Sequence, residues 1–185
     1  MKTLLQYTIL TQRLKNKFDA LAENEQGVTA VEFALIAAPF FFLIFAIIEV
    51  GFIYILSSIL EIGLSNASRD IRIGSFQTSG GTEASFKQAI CDETFGFMNC
   101  DSNFYVDVRR ITSFTGTSIA SPISNGNLNS GSFIFDPAAA DEIIVIRAFY
   151  EWNLFTPVIS DPISNLNGGK RLIQANVVFR VEPYS

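Results

Sequence analysis

The chain has 185 residues, no histidine, 17% charged residues and a net charge of −5. That length fits one domain with appendages, and the acidic balance argues against nucleic acid, whose binders carry basic patches to displace counterions from phosphates. Without histidine the usual general base of serine and cysteine hydrolases is missing, and so is the commonest metal ligand.

Residues 1–27 form a hydrophilic leader that holds Lys2, Arg13, Lys15 and Lys17. Leu10, Leu14, Phe18 and Leu21 fall at helical spacing within it. That pattern fits a small amphipathic helix on the cytoplasmic leaflet, and a disordered leader fits equally well. From Phe33 to Ile48 no residue is charged, and beyond Glu49 the apolar run resumes and reaches Ile59-Leu60. A transmembrane helix over residues 28–60 is expected, because a span needs about twenty mostly apolar residues. Such a helix would be roughly 50 Å long, more than a hydrocarbon core of about 30 Å, so one end should project. The leading Lys and Arg residues place the N-terminus in the cytoplasm and the C-terminal part in the periplasm of a single-pass inner-membrane protein. An ordinary secretory signal is a poor fit, since the apolar core is too long and no A-x-A-like site follows. Pro39 is expected to kink the helix, and Gly51 is either a close-packing point or a tolerated membrane glycine.

Leu60, Leu64, Ala67 and Ile71 recur at steps of four, three and four, which extends the helix through residues 61–74 with an apolar stripe able to dock on a domain. Gly74 is its expected cap. Residues 75–185 read as a periplasmic α+β domain: a short helix near Thr82–Ile90, then strands over Phe104–Ile111, Glu142–Trp152 and Leu172–Val181. In the last, Ile173, Ala175, Val177, Phe179 and Val181 share one face and Gln174, Asn176 and Arg180 the other. The expected fold class is therefore α+β, a long N-terminal helix packing on a small antiparallel sheet. The Ser/Asn/Gly-rich stretch Ser113–Ser132 favours turns over core, and is either a partner-contact surface or a mobile loop.

An oxidising periplasm permits a disulfide between Cys91 and Cys100; two unpaired buried thiols are the alternative. Two cysteines are too few for a structural zinc site. Asp136, Asp141 and Glu142 offer oxygen ligands of the kind calcium prefers, but their spacing matches no known loop and fits a solvated acidic turn. No catalytic, cofactor-binding or metal-binding residue is assigned, there being no phosphate loop and no nucleophile–base pair. The chain is read as a non-enzyme without cofactors.

The junction Gly27-Val-Thr-Ala-Val-Glu32-Phe33-Ala-Leu-Ile-Ala-Ala-Pro39, with Ile47-Ile-Glu49-Val-Gly51, Ala67-Ser-Arg69-Asp-Ile-Arg72-Ile-Gly74 and the end Val177–Tyr184, resembles the TadE-like family of tight-adherence (Tad) pilus minor pseudopilins. The resemblance implies a pilin-like fold and a role in pilus assembly. It implies cleavage after Gly27 by a prepilin peptidase, leaving Val28 as the new N-terminus and Glu32 at its fifth position. There the glutamate would offset the amine of a neighbouring subunit, with Phe33 beside it in the assembling helix. The implied partners are the peptidase, other pilins and pseudopilins including a TadF-like one, the inner-membrane assembly platform and membrane lipid. An uncleaved, signal-anchored periplasmic adaptor is the alternative function. Glu49 is read either as a midspan carboxylate that pairs within an assembly or as an interfacial residue near the periplasmic headgroups.

Overall fold

In the computed structural model one helix, α1, runs over Val28–Arg72 and passes through Pro39. Residues 27–100, 102–115, 119–156 and 159–184 are described; the leader, with its expected amphipathic helix, lies outside them. The chain divides into two units, residues 1–45 and 46–185.

In the first unit α1 is apolar around its whole circumference. Phe33, Leu35 and Ile36 are each 71% exposed, and none of its most apolar eighteen-residue window is buried by protein. A helix that is hydrophobic all round belongs in a core or in a bilayer. Among the described residues α1 alone is long and apolar enough to cross a membrane.

The second unit begins on the same helix. Leu56, Leu60, Leu64, Ala67 and Ile71 form a buried stripe. The expected repeat is therefore the docking face, and it extends back toward the N-terminus beyond Leu60. Gly63 lies in this stripe because a Cβ there would meet the Ile90 carbonyl oxygen at 3.0 Å. After Arg72 the chain turns at Gly74, whose φ of 79° is left-handed; its N–H donates to the Ile71 carbonyl at 3.3 Å. A Cβ at Gly74 would also stand 2.2 Å from the Tyr184 ring, so glycine is required there twice over.

A short turn α2 (Ser75–Thr78) and helix α3 (Glu83–Asp92) follow. Thr82 caps α3: its Oγ1 accepts from the Ser85 N–H at 3.2 Å, while Ser85 Oγ accepts from the Thr82 N–H at 2.8 Å. This reciprocal box satisfies two of the donors a helix start leaves free. Helix α3 buries Phe86 and Ile90, and the Cys91–Cys100 disulfide closes the loop behind it.

Strands β1 (Phe104–Ile111), β4 (Ile143–Asn153) and β5 (Lys170–Arg180) make one antiparallel sheet in the order β1-β4-β5. Phe104 faces Tyr150 across β1–β4, and Tyr150 faces Ile173 across β4–β5. Side chains alternate between faces. Val106, Val108, Ile144, Ile146, Ala148 and Ile173 join the α1 and α3 residues in the main core. On the other face Phe149, Leu166 and Leu172 form a second, smaller core with Ile123, Leu128 and Phe133 around it. Because β4 is covered on both sides, its sequence reads as a continuous apolar run and does not alternate.

The second core corrects the expectation for the Ser/Asn/Gly-rich stretch. It holds a small hairpin, β2 (Ile123–Ser124) with β3 (Asn127–Leu128), and a 3-10 turn over Ser130–Ser132. Asn125 and Gly126 make the hairpin turn with φ of 51° and 73°, the conformation that an Asn-Gly pair favours. Residues just beyond run beside β1: the Val108 N–H donates to Ile134 O at 2.7 Å, and the Asp136 N–H to Val108 O at 3.0 Å. One sheet edge is covered in this way.

Candidate functional site

Gly27 immediately precedes α1, and a Cβ there would meet nothing within 4 Å. Val28, Glu32 and Phe33 lie in the first two turns and are all exposed. Val28 and Glu32 are four positions apart on a helix, so they share one face. All four junction residues therefore stand on one open helix end in the first unit. Cys91 and Cys100 are bonded to each other in the second unit, so the junction and the cysteine pair are separate features. Inside the disulfide loop Phe95, at φ 52°, is 79% exposed, and Phe97 is 56% exposed.

Glu49 is the residue whose role the sequence left open. It is fully buried. Its Oε1 accepts from the Phe155 N–H at 2.6 Å and its Oε2 from the Thr156 N–H at 3.0 Å. Both donors lie in the loop that follows β4, so the partners of this carboxylate are in its own chain. The two hydrogen bonds satisfy backbone donors that have no strand to pair with. The edge of the Phe52 ring meets Phe155 at 6.3 Å between centroids. Glu49 thus ties the helix to the far end of the sheet, a link between residues more than a hundred positions apart that no local pattern announces.

A second buried carboxylate, Asp107 on β1, organises the opposite face. Arg109 Nε donates to both of its oxygens at 2.8 Å. Arg147 Nε and Nη2 donate to Oδ2 at 3.0 and 2.7 Å, and the Ile134 N–H donates to Oδ1 at 2.9 Å. Burial pushes the Asp107 carboxyl up, but these hydrogen bonds and the Arg147 charge outweigh it and hold the group below its ordinary value of 3.8. The two arginines reach further: Arg147 Nη1 donates to Ala120 O at 3.1 Å, and Arg109 Nη2 donates to Ser132 O. Arg147 also sits 5.3 Å from the Phe149 ring centroid. Together they fasten the Ser/Asn/Gly-rich stretch onto the sheet.

Of the acidic turn, Asp136 and Glu142 both meet Arg110, at 2.6 and 3.2 Å, so a guanidinium fills the space between them. The Asp141 N–H donates to Val181 O at 3.1 Å. Among the described residues no group of three or more Asp, Glu, Cys or His gathers where a metal ion could be held.

A family model described as TadE-like protein matches residues 27–69. The match opens at Gly27, takes in the junction and the apolar part of α1, and ends within the stripe that packs on the domain. Over this segment the match agrees with the TadE-like resemblance seen in the sequence. Neither a curated protein nor a solved structure matches the chain.

Proposed function

We propose that the chain is a minor pseudopilin of a Tad pilus, cleaved after Gly27 by a prepilin peptidase and assembled through its apolar N-terminal helix. The observation that carries this reading is the helix start. An exposed glycine immediately precedes a helix that is apolar around its whole circumference, with one carboxylate, Glu32, five residues on, and the family match begins at that glycine. A carboxylate inside a membrane helix costs about 2.5–3.5 kcal/mol on insertion scales and needs a partner. The α-amine that cleavage creates on Val28 supplies one, on a neighbouring subunit. Desolvation cancels much of that attraction, so the pair sets register between subunits more than it adds affinity.

In this reading the helix crosses the inner membrane with its N-terminus in the cytoplasm, and the sheet domain stands in the periplasm with its disulfide oxidised. The domain contributes shape and contacts, with no catalytic role. Its size supports a minor component, because the helix alone would suffice for a major subunit of the short kind. The partners are other pilins and pseudopilins, a TadF-like subunit among them, and the assembly platform.

The test is the intact mass and N-terminal sequence of the membrane-extracted protein, with and without its peptidase. A chain that begins at Val28 only when the peptidase is present is the expected result. A chain that still begins at Met1 beside an active peptidase would overturn the reading and leave the uncleaved periplasmic adaptor in its place.

A further inference from the structure

The loop after β4 has a second feature besides its hydrogen bonds to Glu49. Phe155 does not turn into the core: it is 50% exposed, and its aromatic neighbour Phe52 on α1 is 41% exposed. The Phe155 and Thr156 N–H groups are satisfied inward, while the largest apolar group of the loop is left outward.

The position of this patch along the chain says what covers it. From Val28 to Ile48 α1 advances roughly 31 Å at 1.5 Å per residue, which matches a hydrocarbon core of about 30 Å. Glu49 ends the uncharged stretch Phe33–Ile48 within it. Counted from the helix start, Glu49 therefore stands at the level where α1 leaves a core of that thickness. Its oxygens lie 2.6 and 3.0 Å from the Phe155 and Thr156 nitrogens, which fixes the loop at that same level. Exposed aromatic surface there belongs to the same unit as Ile48, the last residue of that stretch, which is 43% exposed. Aromatic and aliphatic groups of this kind settle into the boundary between headgroups and acyl chains.

We infer that Phe155, backed by Phe52, is a second membrane contact of the domain, resting in the lipid headgroup–acyl boundary and held there by the Glu49 carboxylate. The sheet domain is then seated on the bilayer at two points, the helix and this loop. The inference rests on α1 as a membrane span and holds whether or not the chain is cut at Gly27.

The experiment uses the full chain in nanodiscs of phosphatidylcholine and phosphatidylglycerol with brominated acyl chains. The protein has one tryptophan, so Trp152→Phe provides a dark background. Phe155→Trp then reports on the loop, and Phe95→Trp reports on an exposed aromatic site carried by the disulfide loop. The reporter at 155 is expected to lose about half of its emission or more, as fits a depth of about 5–10 Å into the boundary, while the reporter at 95 keeps its emission. The unaltered chain, labelled by a lipid with a diazirine near the top of its acyl chain, gives a reading that no substitution can disturb. Adducts are expected on the peptide that contains Phe155 and none on the peptide that contains Phe95 and Phe97. Equal emission at both reporter sites, or an unaltered chain labelled on its span but not at Phe155, would overturn the inference. So would capture of a protein in place of lipid by a photoreactive residue at position 155 in native membranes.

Discussion

Asp107 and Glu49 are both carboxylates without solvent contact, and each is compensated by a different kind of donor. Glu49 takes two backbone N–H groups; Asp107 takes two arginines and one backbone N–H. Removing Asp107 would strand Arg147, whose side chain is only 10% exposed, and breaking a buried pair from one side costs about 3–5 kcal/mol. Asp107→Ala is therefore expected to lower the unfolding free energy of the domain, measured by urea titration, by an amount in that range. The contribution also depends on pH in a defined direction. The folded carboxyl lies below its ordinary value of 3.8, so the stabilisation is fully present above that value and is lost as pH falls through the folded one. The stability difference between wild type and Asp107→Asn, measured by urea unfolding from neutral to acid pH, should thus hold steady down to about 3.8 and shrink below it. A difference that grows in acid would contradict the arrangement. Neither role was legible in the sequence. Asp107 sits in a strand whose other residues alternate normally, and its second arginine lies forty positions away; a lone acid between apolar neighbours signals burial only once the strand is known to be covered on both faces.

At the level of elements the sequence carried more. The α1 stripe and β5 follow from periods of 3.6 and 2 and β4 from a continuous apolar run, and the structure places these elements, with β1 and α3, within a residue or two of expectation. The hairpin β2–β3 escaped because strands of two residues are too short to display a period. Its signal was Asn125-Gly126, the strongest short hairpin cue, overlooked among neighbouring Ser, Asn and Gly. That stretch packs on the second core with Ile123 and Leu128, and Phe133 follows just after it; so few apolar residues are averaged away in composition. The disulfide staples α3 to the start of β1 across a sequence separation of nine. Closing a loop of that size removes enough unfolded-state entropy to stabilise the fold by about 2–3 kcal/mol. Replacing Cys91 and Cys100 by serine should therefore lower the denaturant midpoint by the corresponding amount and make it insensitive to reductant, whereas the wild-type midpoint drops to the same level only when reductant is added. A wild-type midpoint that ignores reductant while both thiols become alkylatable would mean that the cross-link contributes nothing.

For the whole molecule, the proposed role separates two tasks along one helix. In that proposal the start of α1, with Gly27 and Glu32, is assigned processing and register; the stripe from Leu56 onward, with Glu49, holds the folded domain. These tasks draw on different residues, so they should fail separately. Glu32 is exposed on an open helix end in the first unit, so Glu32→Gln should leave folding, disulfide formation and membrane insertion unchanged. Cleavage after Gly27 should also persist, because the scissile bond and its glycine are intact. What the variant removes is the carboxylate proposed to meet the α-amine of a neighbouring subunit. Loss of about 1.4 kcal/mol from that contact is a factor of ten in association. Recovery of the variant in cross-linked complexes with other pilins should therefore fall roughly tenfold, the scale set by one partly compensated ion pair, with its N-terminus still at Val28. Glu32→Asp keeps the charge on a shorter arm and should retain part of the association. Full recovery of Glu32→Gln in those complexes would remove the register role from Glu32, and a variant that is no longer cleaved would assign the residue to peptidase recognition instead.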